Sequence, residues 1–223
     1  MTAKQLGPGE RTKVRRLPKK ASYDEAVVHA IIDEARLCHV AANVDGMAMT
    51  LPNLHAREGS TLYLHGSQSN AVMKAVAAAG TACVSMTLYD GLRLARSGFE
   101  SSIAYRSVVL FGAASTIEDD EEKARVLDLF VDRILPGRAA EVRPMTQKEL
   151  NLTLVVAIEI EEASAKISAG QCEDFPEDLD LPIWAGVVPA KLTFSSPIPA
   201  SDGAMSDGTI ALPDSVKRLL EQQ

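Results

Sequence analysis

The chain has 223 residues, of which 46% are hydrophobic and only 4% aromatic, with a net charge of −7. That is enough for one large folded domain, or a domain with an extension, whose core is mostly Val, Ala, Leu and Ile. Residues 1–20 hold seven Lys/Arg against the single acid Glu10, so the body is more acidic than the total, which argues against a general nucleic-acid binder.

Residues 1–20 have no hydrophobic period and are rich in Lys, Arg, Gly and Pro, so a flexible basic tail is expected. Arg15-Arg16 is followed by Leu-Pro-Lys-Lys and not by an apolar region, so no secretory signal is read there. Ser22-Tyr23-Asp24-Glu25 has the form of a capping box and predicts a helix over 23–35, with Ala26, Val27, Ala30 and Ile31 on one face. Cys38 to Val44 reads as a strand, Asp45-Gly46 as a hairpin turn, and Met47 to Leu54 as its partner. Pro52 restricts that second run to an edge or a bulge, because it cannot donate to a ladder. Glu58-Gly59 turns into a third strand over 61–65.

Ser67 to Asn70 leads into an amphipathic helix with Ala71, Val72, Ala75, Val76 and Ala79 on its apolar face, stopped by Gly80. Residues 81–89 form a fourth strand. Asp90 to Ser97 reads as a Gly-containing turn carrying Arg93 and Arg96, which are either solvated or a phosphate grip. Ile103 to Ile117 is a fifth strand, and 119–135 a helix ended by Pro136-Gly137. A short helical turn at 146–150 precedes a sixth strand over 152–161. From Ser168 onward Asp, Glu, Pro and Gly dominate. There a loop-rich extension is expected over 171–223, with residues 181–189 (LPIWAGVVP) as its apolar anchor and a final helix at 213–222.

Six strands joined mostly by short turns, with three helices, do not alternate as βαβ units. They fit an antiparallel barrel over 21–170 with helices outside it. Ala75 to Tyr89 is the longest uncharged apolar-leaning run and is too short to span a bilayer. Three scattered cysteines (Cys38, Cys83, Cys172) fit a reducing cytoplasm. His29, His39 and His55 lack metal-ligand spacing, and there is no G-x-S-x-G, P-loop or G-x-G-x-x-G motif. The feature with chemical content is the strand–loop–helix unit Tyr63 to Lys74. A helix start offers unpaired N–H groups and positive dipole to an anion, and Ser67, Ser69, Asn70 and Lys74 would add donors there; the same residues would also cap an ordinary helix.

Seven motifs in order carry a resemblance: LYLHGS-x-S, TLYDGLRLARS, YRSVVLFGAAS, ILPGR, EL-x-x-T, SAKI and LPIWAGVVP. Together, from about Leu17 to Pro189, they resemble the flavin-nucleotide-binding branch of the pyridoxamine 5′-phosphate oxidase-like family, which also holds the nitroimidazole-resistance proteins. The resemblance implies a mainly β (α+β) fold, a six-stranded antiparallel Greek-key split β-barrel with flanking helices. It implies FMN as cofactor, with FAD, haem or a deazaflavin as alternatives, and a homodimer with flavin sites at the subunit interface. It also implies a small electrophilic substrate, nitroaromatic or quinone-like, or a carrier, sensor or storage role without turnover. Neither nucleic acid nor membrane is an expected partner.

By the same resemblance, Met49, Thr50, Leu51, Pro52 and Asn53 line the flavin ring, followed by His65 and Gly66. Ser69 matches the phosphate-binding serine and Ser67 flanks it. Asn70 stands where the family usually has an arginine, replacing a cationic fork by a neutral amide, so Lys74, Arg93 or Arg96 become substitute cations. Tyr105, Arg106 and Ser107 match the strand that reaches the flavin of the second subunit. Lys166 and Trp184 match late motifs; Arg106 or Lys166 would serve the flavin's N1–C2 carbonyl edge, and Trp184 is a packing anchor or a flavin contact. His65 is the candidate acid/base, or else a hydrogen-bonded histidine at a strand end. The Arg-Leu-His-x-Arg type ending of true pyridoxamine phosphate oxidases is absent, so pyridoxine phosphate is not the expected substrate.

Overall fold

The computed structural model describes residues 4–202 and 210–221. Residues 1–3 of the expected tail, and 203–209 and 222–223 of the expected extension, lie outside the described residues. The strands are β1 (Ala21–Ser22), β2 (Cys38–Val44), β3 (Met47–Asn53), β4 (His55–Glu58), β5 (Thr61–Ser67), β6 (Thr81–Leu94), β7 (Ser102–Thr116), β8 (Thr153–Ser168) and β9 (Gly186–Pro189). The helices are α1 (Glu25–Glu34), α2 (Ala71–Ala79), α3 (Asp120–Ile134), α4 (Gln147–Leu152) and α5 (Asp214–Glu221).

One antiparallel sheet runs in the order β3-β2-β6-β7-β8-β5-β4, with β1 added to β8 and β9 to β6. The fold is mainly β with flanking helices and a sheet that is not closed, the split-barrel arrangement. There are nine strands among the described residues where the sequence predicts six. The three extra ones (β1, β4, β9) have only two to four residues each, too few for an alternation to show. Pro52 sits on the end strand β3, whose register with β2 is unbroken, so it marks an edge and not a bulge. Asp45 and Gly46 both have positive φ (51° and 82°), as a two-residue hairpin turn requires.

The seam of the open sheet is filled by α2. Its Val72, Met73 and Val76 are buried in the main core with Val40, Leu64, Val84, Val108 and Val156. Asn53 Nδ2 contacts Met73 Sδ at 3.5 Å, and Gly66 lies against Asn70 and Met73, so the ends of β3 and β5 meet at this helix. β5 has two dry faces. Leu62 and Leu64 enter the barrel, while Tyr63 joins a second core with Ala56, Val126, Leu127, Phe130, Leu150 and Val155 beneath α3. Each such buried side chain contributes about 1.5–3 kcal/mol.

Several local expectations are corrected. The N-cap of α1 is Asp24 and not Ser22: its carboxylate accepts from the Ala26 and Val27 N–H groups at 2.9 and 3.3 Å, and Ser22 is drawn into β1. The basic head does not behave as a tail over its described part. Leu6 and Thr12 are buried, Leu6 N–H donates to Tyr23 O at 2.8 Å, and Arg11 pairs with Glu162 while covering the Phe111 ring at 4.7 Å. The acidic outer edge of β8 (Glu161, Glu162) supplies the countercharge. The Asp90–Leu94 segment is strand and not turn. β6 continues past a bulge at Tyr89/Gly91 and there accepts β9 as a neighbour, a pairing between residues far apart in sequence.

Candidate functional site

Strand alternation divides the sheet into an inner face, carrying Val40, Val84, Val108, Leu110 and Ala165, and an outer face. Register then places the outer residues in rows. Pro52, His39, Ser85, Val109 and Ser164 form one row across five strands. Thr87, Ser107 and Lys166 form a second, and Tyr89, Tyr105 and Ser168 a third. Of the sequence candidates, Thr50, Pro52, Tyr105, Ser107 and Lys166 therefore share this outer face. Met49, Leu51 and Asn53 alternate to the other side, where Leu51 packs on the core and Asn53 reaches Met73.

A cleft of about 910 Å³ opens beside these rows. Leu37, Leu88, Tyr89 and Phe194 supply apolar and aromatic wall, and His39 and Thr87 join it from the outer rows. Arg106 crosses the cleft wall. Its guanidinium donates to Asp90 at 3.0 and 2.8 Å and to Glu34 at 2.7 Å, and these two carboxylates hold it charged more firmly than usual. Arg36 lies 5.7 Å from the Phe194 ring, so the extension closes one side of the cleft with a cation–π contact. The sequence reading missed His39, Tyr89, Asp90 and Phe194. The one signal that could have found Tyr89 and Asp90 is their place in the TLYDGL motif; nothing local marks Phe194.

The start of α2 is built as the sequence indicates, and several of its polar groups bond one another. Asn70 is the N-cap, accepting from Met73 N–H at 3.1 Å, so its carbonyl oxygen is engaged. Ser67 and Ser69 hydroxyls bond each other at 2.9 Å, and Ser69 N–H also donates to Ser67 Oγ. Lys74 lines a separate pocket of about 210 Å³ with Gln68, Thr116 and Lys123.

His65 does not join that group. It follows Tyr63 and precedes Gly66 on β5, and its ring points to the α3 side, edge-on to Phe130 with centroids 4.3 Å apart. There it walls a pocket of about 470 Å³ with Leu127, Val142, Arg143 and Met145. Its Nδ1 is buried without a hydrogen-bond partner, as is Nδ1 of His55, but the His55 ring is held through Nε2, 2.8 Å from Ile32 O. Desolvation pushes the His65 pKa down, so its neutral form is favoured. The strand-end histidine expected to be hydrogen-bonded is therefore an unpartnered one, and as an acid/base it is turned away from the α2 start.

The remaining candidates have structural partners. Arg93 is buried, donating to Ser168 Oγ at 3.2 Å and to Gln171 O, and Arg96 pairs with Asp174 at 2.7 Å. Both clamp the chain after β8 and are not at the α2 start. Trp184 is largely exposed and lies over the Gly186 backbone, so the anchor of the extension is the β9–β6 ladder, not this indole. Among the described residues no group of three or more His, Cys, Asp or Glu is placed to hold a metal ion, and no helix is long and apolar enough to cross a membrane.

A family model described as pyridoxamine 5′-phosphate oxidase matches residues 24–167. Among solved structures, the flavocytochrome Anf3 from Azotobacter vinelandii is 35% identical, with 95% of this chain and 97% of that chain covered at a TM-score of 0.88. The FAD and heme binding protein from Mycobacterium smegmatis is 40% identical, with 90% and 97% covered at a TM-score of 0.83. A candidate 5-nitroimidazole antibiotic resistance protein from Bacteroides thetaiotaomicron is 21% identical over 66% of this chain and 86% of that one, with a TM-score of 0.56, and shares the fold. No curated protein matches the chain.

Proposed function

The chain belongs to the pyridoxamine 5′-phosphate oxidase family, and on that footing we propose that it is a flavin-dependent redox protein that also binds haem. The observation that carries the haem assignment is His65. A neutral imidazole with an unpartnered buried nitrogen, at the wall of a pocket that also carries Leu127, Val142 and Met145 and the Arg143–Glu149 pair, has the chemistry of a metal-ligating histidine. Phe130 fixes the ring from its edge, and Leu127, Val142 and Met145 give the pocket an apolar wall beside it. Two relatives matched over nearly their whole length are described as a flavocytochrome and as an FAD and haem binder, which supports the pairing.

The residues that fit the flavin are those of the outer face and the cleft: Thr50, Pro52, His39, Thr87, Tyr89, Ser107 and Arg106. They offer a flat apolar surface with hydroxyls and one fixed cation, suited to a flavin ring. FAD is the preferred flavin because a 40%-identical relative is described by it; FMN is the form expected from the sequence motifs. The flavin supplies hydride and electron transfer and the haem one-electron chemistry, while the protein orients both and shields them. The same face exposes Tyr89 and Val109, and we place the homodimer contact there. A small electrophile, nitroaromatic or quinone-like, is the acceptor.

The test is spectroscopic. The purified protein, loaded with FAD and haem, is expected to show both flavin bands and a Soret band, and the flavin bands to bleach anaerobically with NADPH or NADH. Oxidation by a quinone or nitroaromatic then tests the acceptor, and chromatography of the released flavin separates FAD from FMN. His65→Ala is expected to lose the Soret band and keep the flavin. A Soret band unaffected by that substitution refutes the haem assignment; no flavin bands after FAD titration refute the flavin.

A further inference from the structure

Three cations gather where β8 ends, two strands from the cleft, and among the described residues no carboxylate forms an ion pair with any of them. Arg93 is 7% exposed, and its Nε is buried without a hydrogen-bond partner. Its Nη1 donates to Ser168 Oγ at 3.2 Å, and Lys20 Nζ donates to the same hydroxyl at 3.1 Å. Lys166 stands beside them, directly opposite Ala21 on β1. Among the described residues none of the three has an ion pair; the nearby acids are taken, Glu173 by Lys19 and Asp174 by Arg96. Desolvation, then Arg93, then Lys166 among the further neighbours, push the Lys20 ammonium down, and Glu173 opposes this in part. Arg106, by contrast, has two carboxylates on the facing wall.

A buried guanidinium and an ammonium on one hydroxyl, with a second ammonium on the neighbouring register position, repel each other and have lost hydration. What relieves both terms is an anion with several acceptor oxygens. We propose that Lys20, Arg93, Lys166 and Ser168 form a phosphate-binding site, separate from the α2 start. Its position says what it serves. Lys166 faces Ser107, which faces Thr87 in the cleft wall, so the site lies about 10 Å across the sheet from the cleft. That span suits the pyrophosphate of a dinucleotide whose ring occupies the cleft, either FAD or a nicotinamide donor. The anion site rests on the unbalanced cluster itself and stands whether or not the flavin reading does.

Arg93→Ala removes a buried group and risks misfolding, so the test uses Lys20→Gln combined with Lys166→Gln, both half-buried positions. The flavin-free full chain is titrated with inorganic pyrophosphate, then with FAD and with riboflavin. Pyrophosphate is expected to bind, and the double variant to weaken it about tenfold or more. A matching loss for FAD with riboflavin unchanged assigns the phosphate to the flavin. FAD unchanged, with NADPH weakened, assigns it to the electron donor. Pyrophosphate that fails to bind the parent chain, or binds the variant equally well, overturns the site. Failure of riboflavin and FAD to bind at all would sink the flavin reading while leaving the pyrophosphate result standing.

Discussion

The cleft and the His65 pocket solve opposite problems of charge. The cleft keeps Arg106 ionised between Asp90 and Glu34 and leaves the network partly exposed. The pocket holds an imidazole neutral against Phe130 and gives its Nδ1 no partner. They also differ in how they are assembled. The cleft joins the end of α1, β6, β7 and the 190–194 segment, which arrives only because β9 pairs with β6. The pocket is the rim of a core built from β5, α3, α4 and β8. The cleft depends on register between distant strands; the histidine depends on the burial of its own ring against Phe130.

The largest effect separating the two is expected at Gly91. Its φ is 142°, and a Cβ there would stand 2.3 Å from Val188 O, in the β9 partner strand. Gly91→Ala should detach β9, cost about 1–3 kcal/mol in strain and lost pairing, and weaken FAD binding severalfold while leaving the haem signal intact. Chemical denaturation and FAD titration of the same preparation measure it, and equal loss of both cofactors would break the proposed independence of the two regions.

Acidification should act through three histidines, of which only His65 lines the pocket. His29, His55 and His65 all have pKa values lowered by burial from the ordinary 6.5. The unfolded chain therefore takes up protons first as the pH falls below about 6.5, and stability drops through that window until the folded-state values are reached. The slope is at most about 1.4 kcal/mol per pH unit for each group. Thermal melts of the haem-free protein between neutral and acidic pH should show it, with a shallower fall in His65→Gln; an unchanged slope would mean that His65 is solvated.

The smallest effect belongs to the cleft's ion pairs. Arg106→Met should cost about 1 kcal/mol or less, because the carboxylates it leaves behind are partly solvated. Urea melts at low and high salt measure this, and the difference from the parent should shrink as salt rises. A cost several times larger would mean that the network is sealed from solvent when the protein is assembled.

The barrel was legible because its strands carry two-residue alternation and its turns carry Asp-Gly, Glu-Gly and Pro-Gly signals. The α2 N-cap and its Gly80 stop are equally local. The site was legible only in pieces. Thr50, Pro52, Ser107 and Lys166 were singled out by motif, but their common face follows from cross-strand register, and no single segment contains it. Arg93 and Arg96 looked like equivalent phosphate cations beside a turn; in the fold Arg96 is neutralised by Asp174, while Arg93 is buried against Ser168 with no ion pair. His65 looked like part of the α2 start because it is three residues from Gln68, yet strand alternation turns its ring to the opposite face.

The sequence by itself determined the class of fold, the start of α2 at Asn70 with its Gly80 stop, and the family, since each rests on patterns and motifs read along the chain. Only the tertiary structure decided which cations have partners, which face each candidate occupies, and that the basic head docks on β8. Those outcomes depend on distances between segments far apart in the chain, 75 residues for Arg93 and Ser168 and 151 for Arg11 and Glu162. Whether a charge is a clamp or a binding group is set by what the fold brings opposite it, and no local pattern records that.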